Sequence, residues 1–316
     1  MLKPIKLKPE FKEIIWGGNR LKNEYNKASS LNNIAESWEL TVRPDGMNVI
    51  DGGEFDGLTM EEYINKNGFS VVSNKEMDRF PLLINFIDAE DNISIKVHPD
   101  DEYGMKTANS LGKTEMWYII DAKPGAKLVY GLKEGYTIDT LKAAIENGNV
   151  EEMLNYVPVK KGDVFFIPSG LVHAIGAGIL LAEIQQNSNI TYRVYDYNRV
   201  GKDGKPRELH VSDALNVIVN RNEKEIDKIR FSTNVKNDTT LASCEYFTVD
   251  KYTLNDEITL NTDKKSFNSV LCLDGNGTLE FNGENFYITK GDSYFIPANL
   301  GDYTIKGKLE IVVSKI

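Results

Sequence analysis

Three residues of this 316-residue chain carry side chains able to bind one metal ion together: His98, Glu115 and His173. The two histidines stand out because the chain has only three. Each of the three lies in or beside a short β-branched and aromatic run bounded by Gly, Pro or Asp, which is typical of a strand that meets a turn. Residues so far apart meet only if the sheet curls on itself, so the pattern favours a closed β-barrel. Two imidazoles and a carboxylate with an open position suit catalytic Zn²⁺, and they also suit Fe(II) in an oxygenase.

Two other residues compete for a place in such a site. Glu102 is a rival carboxylate only four residues after His98, although its neighbours resemble a polar turn rather than a strand. The third histidine, His210, precedes a helical pattern and matches none of the ligand motifs. We therefore interpret His210 as an ordinary residue and favour Glu115 over Glu102.

Composition and charge exclude several classes of partner. The chain has 37 basic and 47 acidic residues, which gives a net charge of −10. Such a field repels nucleic acid and anionic lipid, so we predict neither as a partner. No apolar run approaches the length of a membrane span, and the N-terminus lacks the apolar core of a secretion signal. Cys244 and Cys272 are scattered, which disfavours a disulfide framework and predicts a cytoplasmic protein.

One internal repeat is visible. The run Lys161–Pro168 recurs as Lys290–Pro297 with six of eight positions identical, at a constant offset of 129. Five residues past each proline stand His173 in the first copy and Asp302 in the second. The repeat therefore predicts two related β-barrels, of which only the first holds a metal.

A helical tract separates the strand of Glu115 from the strand of His173. It runs from Thr137 to Tyr156, and Gly148 divides it, so we expect two short helices that form an insertion at about residues 130–157. The charged run 221–237 predicts a domain boundary. We therefore expect a catalytic domain at 1–237 and a second, degenerate barrel at 238–316.

Longer motifs resemble one enzyme family. The spacing Gly162-x5-Pro168-x-Gly170-x2-His173 resembles the second motif of the cupin superfamily. More narrowly, the chain resembles the type I mannose-6-phosphate isomerases in their short bacterial form. The motifs that carry this resemblance are Phe11-Lys12-Glu13-x2-Trp16-Gly17-Gly18, Glu36-Ser37-Trp38-Glu39-Leu40, Ser94-Ile95-Lys96-Val97-His98-Pro99-Asp100-Asp101, Gly112-Lys113-Thr114-Glu115-x-Trp117-Tyr118, 162–173 and 189–196.

The resemblance implies a fold, a metal and a reaction. The fold is mainly β, with two cupin-type (jelly-roll) barrels, a small helical insertion and no metal in the second barrel. The implied reaction interconverts mannose 6-phosphate and fructose 6-phosphate, with one Zn²⁺ at His98, Glu115 and His173 and a catalytic arginine at Arg193. Many members carry Gln as a fourth ligand two residues before the first histidine, where this chain has Lys96. A protonated lysine cannot donate to a metal, so we expect three protein ligands.

The remaining site residues are predicted from the chemistry of aldose–ketose exchange. That reaction moves a proton between C1 and C2 through an enediol, and a fixed cation near the carbonyl oxygen stabilises the developing charge. Arg193 suits a phosphate or an enediolate oxygen but is a poor base. Lys96 and Lys113 are candidate substrate-binding cations, unless they are solvated surface residues. Glu183 is the candidate base, because burial raises a carboxylate pKa, although a structural role is an alternative.

Two other functions fit the ligand set. An Fe(II) cupin oxygenase would need a second histidine where Lys96 stands, and it does not explain the run 112–118. A non-catalytic cupin that binds sugar phosphate would leave Arg193 without a purpose. We predict a small-molecule sugar phosphate as the partner. Because the degenerate barrel could take the place of a dimer mate, we expect a monomer or a weak homo-oligomer.

Overall fold

The computed structural model describes residues 2–201, 204–219 and 239–316. These residues fall into two compact units. The terminal unit comprises the described residues of 1–12, 19–86 and 235–316, and the central unit those of 13–18 and 87–234. The predicted domain boundary at residues 237 and 238, together with the charged run 221–237, lies outside the described residues and stays a prediction.

Strands dominate both units. In chain order the strands are β1 (Ile5–Lys8), β2 (Glu10–Lys12), β3 (Glu36–Leu40), β4 (Val42–Arg43), β5 (Gly46–Met47), β6 (Val49–Ile50), β7 (Leu82–Ala89), β8 (Ile95–Val97), β9 (Glu115–Ala122), β10 (Lys127–Leu132), β11 (Leu154–Pro158), β12 (Val164–Ile167), β13 (His173–Ile175), β14 (Ile179–Gln186), β15 (Tyr192–Tyr195), β16 (Thr239–Ser243), β17 (Thr248–Leu254), β18 (Glu257–Thr262), β19 (Asn268–Phe281), β20 (Glu284–Thr289), β21 (Ser293–Ile296) and β22 (Gly301–Lys315).

Helices are short and few by comparison. The α-helices are α1 (Arg20–Glu24), α2 (Met60–Asn67), α3 (Asp101–Ala108), α4 (Ile138–Asn147) and α5 (Val211–Val217), and 3₁₀ turns lie at Gly53–Phe55, Phe69–Val71 and Val150–Met153. No helix in the described ranges is long and apolar enough to cross a membrane. The prediction of a mainly β protein is confirmed. Closure of the sheets into two barrels stays a prediction.

The terminal unit is built on one antiparallel sheet. Its strands run in the order β16-β17-β22-β19-β21-β1-β6, with β18 added to β22 and β20 added to β19. The two longest strands, β19 and β22, pair with each other along most of their length. Alternate residues along these strands point to one face and form an apolar core that includes Val270, Ile305 and Ile311.

The central unit contains a five-stranded sheet in the order β11-β10-β13-β8-β15 and a ladder in which β9 lies between β12 and β14. One face of the five-stranded sheet packs on helices, because Ile95 and Val97 of β8 share a core with Leu141 of α4 and Ala214 of α5. Side chains of a strand alternate between faces. Lys96, between Ile95 and Val97, therefore points to the other face.

The helical insertion agrees with the sequence except at its end. Thr137 caps α4 by accepting from the Thr140 amide, and Gly148 ends the helix at φ 74°. A 3₁₀ turn at Val150–Met153 supplies the second helical piece. The predicted tract reached Tyr156, and this part is wrong, because Leu154–Pro158 forms β11 and pairs with β10. In this segment, pairing of β11 with β10 determines the structure, although the apolar residues are spaced as in a helix.

Candidate metal centre

The three predicted ligands converge in the central unit. His98 directly follows β8, while Glu115 and His173 are the first residues of β9 and β13. Nε2 of His173 lies 3.4 Å from Oε1 of Glu115, and Nε2 of His98 lies 3.7 Å from Oε2 of the same carboxylate. All three ligand atoms lie within 4.8 Å of one another. Ligand atoms around a tetrahedral zinc are about 3.4 Å apart, so the spacing fits one such ion.

The hydrogen bonds of both imidazoles leave their inward nitrogens free to bind a cation. Nδ1 of His98 donates to the Ile190 carbonyl at 2.7 Å, and Nδ1 of His173 donates to the Leu171 carbonyl at 2.8 Å. With the proton on Nδ1, each Nε2 carries a lone pair. Both Nε2 atoms and Oε1 of Glu115 are buried, and none of them has a hydrogen-bond partner among the described residues. Buried polar atoms are normally satisfied, so three convergent unsatisfied acceptors fit a bound metal.

Burial keeps the imidazoles neutral. It lowers the pKa of His98 well below the ordinary value, and the positive charges of Lys113 and Lys96 lower it further. The pKa of His173 is lowered in the same way, first by burial and then by Lys96. Neutral imidazole is the form that binds metals.

A short network places Glu115 at the start of its strand. The Asp101 carboxylate accepts from the Gly112 amide at 2.7 Å and from Nε2 of Gln186 at 2.9 Å. Oε1 of Gln186 in turn accepts from the Thr114 amide at 2.8 Å. The backbone at Gly112 passes so close to Asp100 that a Cβ on residue 112 would lie 2.4 Å from the carbonyl carbon of Asp100. Glycine at position 112 is therefore required for this approach.

A second glycine turn places His173. Gly170 has φ +79° and donates its amide to the His98 carbonyl at 2.8 Å, which ties the two histidine segments together. His173 pairs with Tyr130 of β10 on one side and with Lys96 of β8 on the other. The ring of Trp117 meets the His173 imidazole edge-on, with 5.5 Å between centroids.

Glu183 and Lys113 lie beside the ligands. Both are buried, and Nζ of Lys113 bonds to Oε2 of Glu115 and lies 3.7 Å from Oε1 of Glu183. Glu183 pairs across the ladder with Trp117, whose indole nitrogen donates to Oε1 of Glu183 at 2.7 Å. Burial raises the pKa of Glu183, the negative charge of Glu115 raises it further, and Lys113 and Lys96 oppose the rise. The structure therefore places a carboxylate of raised pKa next to the ligands.

Lys96 and Arg193 occupy the same sheet face as His173. In the register, Lys96 of β8 lies opposite His173 on one side and Arg193 of β15 on the other. Directly opposed residues in antiparallel strands project to the same face. Nε of Arg193 donates to the Ser94 hydroxyl at 3.3 Å, and its Nη1 donates to the Glu208 carbonyl at 2.7 Å.

The structure therefore brings the predicted site residues into one region of the central unit. Glu102 is exposed on α3, whereas Glu115 is fully buried. His210 is not among the three ligands, but its amide donates to the Arg193 carbonyl at 2.8 Å. Trp117 and Ser94 were not predicted as functional. Both residues stand in motifs that carry the family resemblance, and each is two residues away from a predicted site residue, Trp117 from Glu115 and Ser94 from Lys96.

Neutral imidazoles and a buried carboxylate at the ends of antiparallel strands define a mainly β protein with a group of side chains that could hold one metal ion. Comparisons with known proteins specify the class further. A family model described as phosphomannose isomerase type I, catalytic domain, matches residues 5–125, and a model described as mannose-6-phosphate isomerase, cupin domain, matches residues 237–316.

Full-length relatives agree. Mannose-6-phosphate isomerase ManA of Bacillus subtilis is 38% identical over 322 residues, covering 99% of each chain. The mannose-6-phosphate isomerase of Streptococcus mutans is 33% identical, covering 99% of this chain and 98% of its own. A crystal structure of the mannose 6-phosphate isomerase from Bacillus subtilis matches with a TM-score of 0.91 at 36% identity, covering 99% of both chains. The chain belongs to the type I mannose-6-phosphate isomerase family, which confirms the resemblance stated from its motifs.

Proposed function

We propose that this chain interconverts mannose 6-phosphate and fructose 6-phosphate through an enediol, with one Zn²⁺ bound by His98, Glu115 and His173. The proposal is carried by the convergence, in a chain of this family, of three buried acceptor atoms that have no hydrogen-bond partner in the part of the chain that the structure describes. Family membership disfavours the two alternatives, a cupin oxygenase and a non-catalytic sugar-phosphate binder.

The donor set supports a borderline metal ion. Neutral imidazole nitrogens and one carboxylate oxygen suit Zn²⁺, with the rest of the coordination sphere left to water or substrate. The same donors suit Fe(II), so the choice of zinc requires a metal-exchange experiment. A Zn²⁺ held by His98, Glu115 and His173 would supply Lewis acidity to polarise the carbonyl group of the substrate.

Glu183 is the proposed proton-transfer base. Its carboxylate removes the proton from C2 of the aldose and returns it to C1, while the hydroxyl proton on O2 moves to O1, so that the ketose forms and the carboxylate is unchanged after one turnover. Burial raises its pKa, which increases the basicity of the ionised form. The indole N–H of Trp117 holds Oε1 at 2.7 Å and fixes the orientation of the carboxylate.

Three cations act on the substrate electrostatically. The Arg193 guanidinium is permanently charged and holds either the phosphate or the enediolate oxygen. Lys96 faces the same side of the sheet as Arg193, and Lys113 lies between Glu115 and Glu183. Together they provide the local positive charge that a protein of net charge −10 needs to bind an anion.

Several coarser predictions are part of the same proposal. We propose two cupin-type barrels, a catalytic part at 1–237 and a metal-free part at 238–316. Support comes from the repeated turn and from the match of a cupin-domain model to residues 237–316. Cys244 and Cys272 are free thiols, which agrees with a cytoplasmic location. A monomer or weak homo-oligomer stays a prediction.

The test is turnover of mannose 6-phosphate by chelator-treated protein before and after addition of one equivalent of Zn²⁺ or of Fe(II). We expect activity to disappear with chelator and to return with zinc under anaerobic and aerobic conditions alike. Oxygen consumption that tracks the iron form would favour the oxygenase. Binding of mannose 6-phosphate without conversion under either metal would favour the sugar-phosphate binder.

A further inference from the structure

Asp196 is a buried acid that the proposed reaction does not use. It lies three residues after Arg193 and is 5% exposed. Its Oδ1 accepts from Nη2 of Arg199 at 2.5 Å and from Nη2 of Arg207 at 2.5 Å, and its Oδ2 accepts from Nε of Arg207 at 2.7 Å. Burial acts to raise the pKa of Asp196, but the two arginines outweigh it and hold the pKa below the ordinary value. Asp196 is therefore an ionised carboxylate shared by two guanidinium groups.

The first of these guanidinium groups fixes one partner of Arg193. Arg207 is bound to Asp196 through two nitrogens, which restricts both its position and its plane. The next residue, Glu208, presents its backbone carbonyl to Nη1 of Arg193 at 2.7 Å. The contact that holds Arg207 therefore also holds the acceptor for Arg193.

The second guanidinium group fixes the other partner. Nη1 of Arg199 donates to the Asn92 carbonyl at 2.6 Å while its Nη2 is bound to Asp196. Ser94, two residues after Asn92, accepts from Nε of Arg193 at 3.3 Å. Asp196 thus holds, through one arginine each, the two chain segments that supply the partners of Arg193.

Charge adds to this geometry. Burial lowers the pKa of Arg193, the charges of Arg207 and Arg199 lower it further, and Asp196 opposes them. Three guanidinium groups close to one another repel, and the Asp196 carboxylate offsets that repulsion. Removal of its charge would therefore free Arg207 and Arg199 to separate, and with them the segments that hold Arg193.

We infer that Asp196 is a positioning residue that fixes the orientation of the Arg193 guanidinium in the isomerase site. The inference rests on the proposed function, in which Arg193 acts on the substrate. Within the residues the structure describes, the contacts of Asp196 run to Arg199 and Arg207 and not to His98, Glu115 or His173.

The test compares Asp196→Asn with Arg193→Lys in the zinc-loaded enzyme, singly and combined. Displacement of a catalytic group by about 1 Å costs up to roughly 100-fold in rate, so we expect Asp196→Asn to lower kcat/KM by about 10- to 100-fold. It should change the same parameter, kcat or KM, that Arg193→Lys changes. In the Arg193→Lys background, Asp196→Asn should change kcat/KM by less than about 2-fold, because both variants remove one interaction. Bound zinc should remain unchanged.

A matched control and a second variant complete the design. Asp45→Asn removes an exposed aspartate that forms the same kind of bidentate pair with Arg43 in the terminal unit, and it should leave kcat/KM unchanged. If Asp196→Asn does not fold, Arg207→Lys is measured in the same double-mutant cycle with Arg193→Lys. This variant keeps the positive charge but loses the bidentate guanidinium contact. A kcat/KM equal to that of the wild type in the Asp196 or Arg207 variant would overturn the inference. So would losses in kcat/KM that multiply when either variant is combined with Arg193→Lys. A wild-type protein without turnover would instead overturn the proposed function.

Discussion

The central unit and the terminal unit contain the same turn, but within the described residues only the central unit also holds a group of potential metal ligands. In the central unit, Oδ2 of Asp163 accepts from the Lys160 amide at 2.9 Å, and Gly162 has φ 89°. In the terminal unit, Oδ2 of Asp292 accepts from the Thr289 amide at 2.9 Å, and Gly291 has φ 91°. The identical hydrogen bonds explain why this part of the repeat is retained in both copies: it fixes a turn, not a chemistry.

Strand register extends the match beyond the repeated motif. The Ile119 amide donates to the Asp163 carbonyl at 2.9 Å, and the Cys272 amide donates to the Asp292 carbonyl at 2.9 Å. Ile167 pairs with Glu115 in one ladder, and Ile296 pairs with Asn268 in the other. Asn268 therefore occupies the position of Glu115.

The other site residues have counterparts as well. Glu183 pairs with Trp117, whereas Val313 pairs with Val270. Lys96 pairs with His173, whereas Asn261 pairs with Asp302 and donates to its Oδ1 at 2.7 Å. The comparison shows that one ladder supports two outcomes. In the central unit charged side chains converge, whereas in the terminal unit Asn268, Val270 and Val313 are uncharged and buried, and the pair Asn261 and Asp302 is exposed.

The largest expected difference is between His173→Ala and Asp302→Ala. Loss of an outer-sphere partner already lowers metal affinity by about 10- to 100-fold, so loss of His173 as a ligand should cost more and abolish turnover. Asp302 is exposed and bonds Asn261, so its loss should leave kcat and bound zinc unchanged. Metal analysis after dialysis and a coupled assay measure both. Loss of zinc from Asp302→Ala would contradict the contrast drawn between the central and terminal units.

Glu183→Gln should give the next largest effect. Removal of a general base lowers kcat by about 10²- to 10⁴-fold, while bound zinc should stay. Because burial raises the pKa of Glu183 above its ordinary 4.5, the wild-type rate should rise with pH through a midpoint above that value, as the carboxylate ionises. Glu90→Gln, which removes an exposed partner of Lys123, serves as the control. A Glu183 variant with normal kcat would assign it a structural role.

Substitution of the two turn glycines, Gly162 and Gly291, should change the stability of the protein by different amounts rather than its activity. A non-glycine residue at a positive φ costs on the order of 1–3 kcal/mol. Gly162→Ala should lower the free energy of unfolding by this amount, because its Cβ would meet open space. Gly291→Ala should cost more, because its Cβ would lie 2.6 Å from the Tyr25 carbonyl oxygen. Urea unfolding of both variants checks the order. Equal urea midpoints for the two variants would show that Tyr25 moves aside without loss of stability.

The smallest expected effect concerns the polar core of the terminal sheet. Nδ2 of Asn268 donates to the Tyr303 hydroxyl at 2.9 Å, and both residues are buried. Tyr303→Phe removes that acceptor and should lower the free energy of unfolding by about 1 kcal/mol. The kcat for mannose 6-phosphate should not change. A lowered kcat would mean that the Asn268 position still contributes to catalysis.

Much of the site could be predicted because its residues are rare and lie in recognisable contexts. His98 and His173 are two of three histidines, and Glu115 opens an apolar strand, which separated it from Glu102. The repeat at an offset of 129 also showed that His173 has no histidine counterpart in the second copy.

The remaining features depend on tertiary pairing. The contact of Trp117 with Glu183 exists only in one register of β9 and β14, which spacing along the chain does not specify. The link between Asp196 and Arg193 likewise passes through Arg207, whose place is set by an ion pair rather than by a periodic pattern. Strand β11 was missed because its apolar residues also fit a helical period, and pairing with β10 decided the outcome.

Cys272, which stands where the central unit has Ile119, bears on how the metal can be loaded. Burial, and then the charge of Asp292, raise the pKa of its thiol to about 12. At neutral pH the thiolate fraction is then on the order of 10⁻⁵, and the thiolate is the form that reacts with alkylating agents and oxidants and that binds soft metals. Burial and the raised pKa therefore lower the reactivity of the Cys272 thiol toward such reagents and its tendency to bind soft metals during reconstitution.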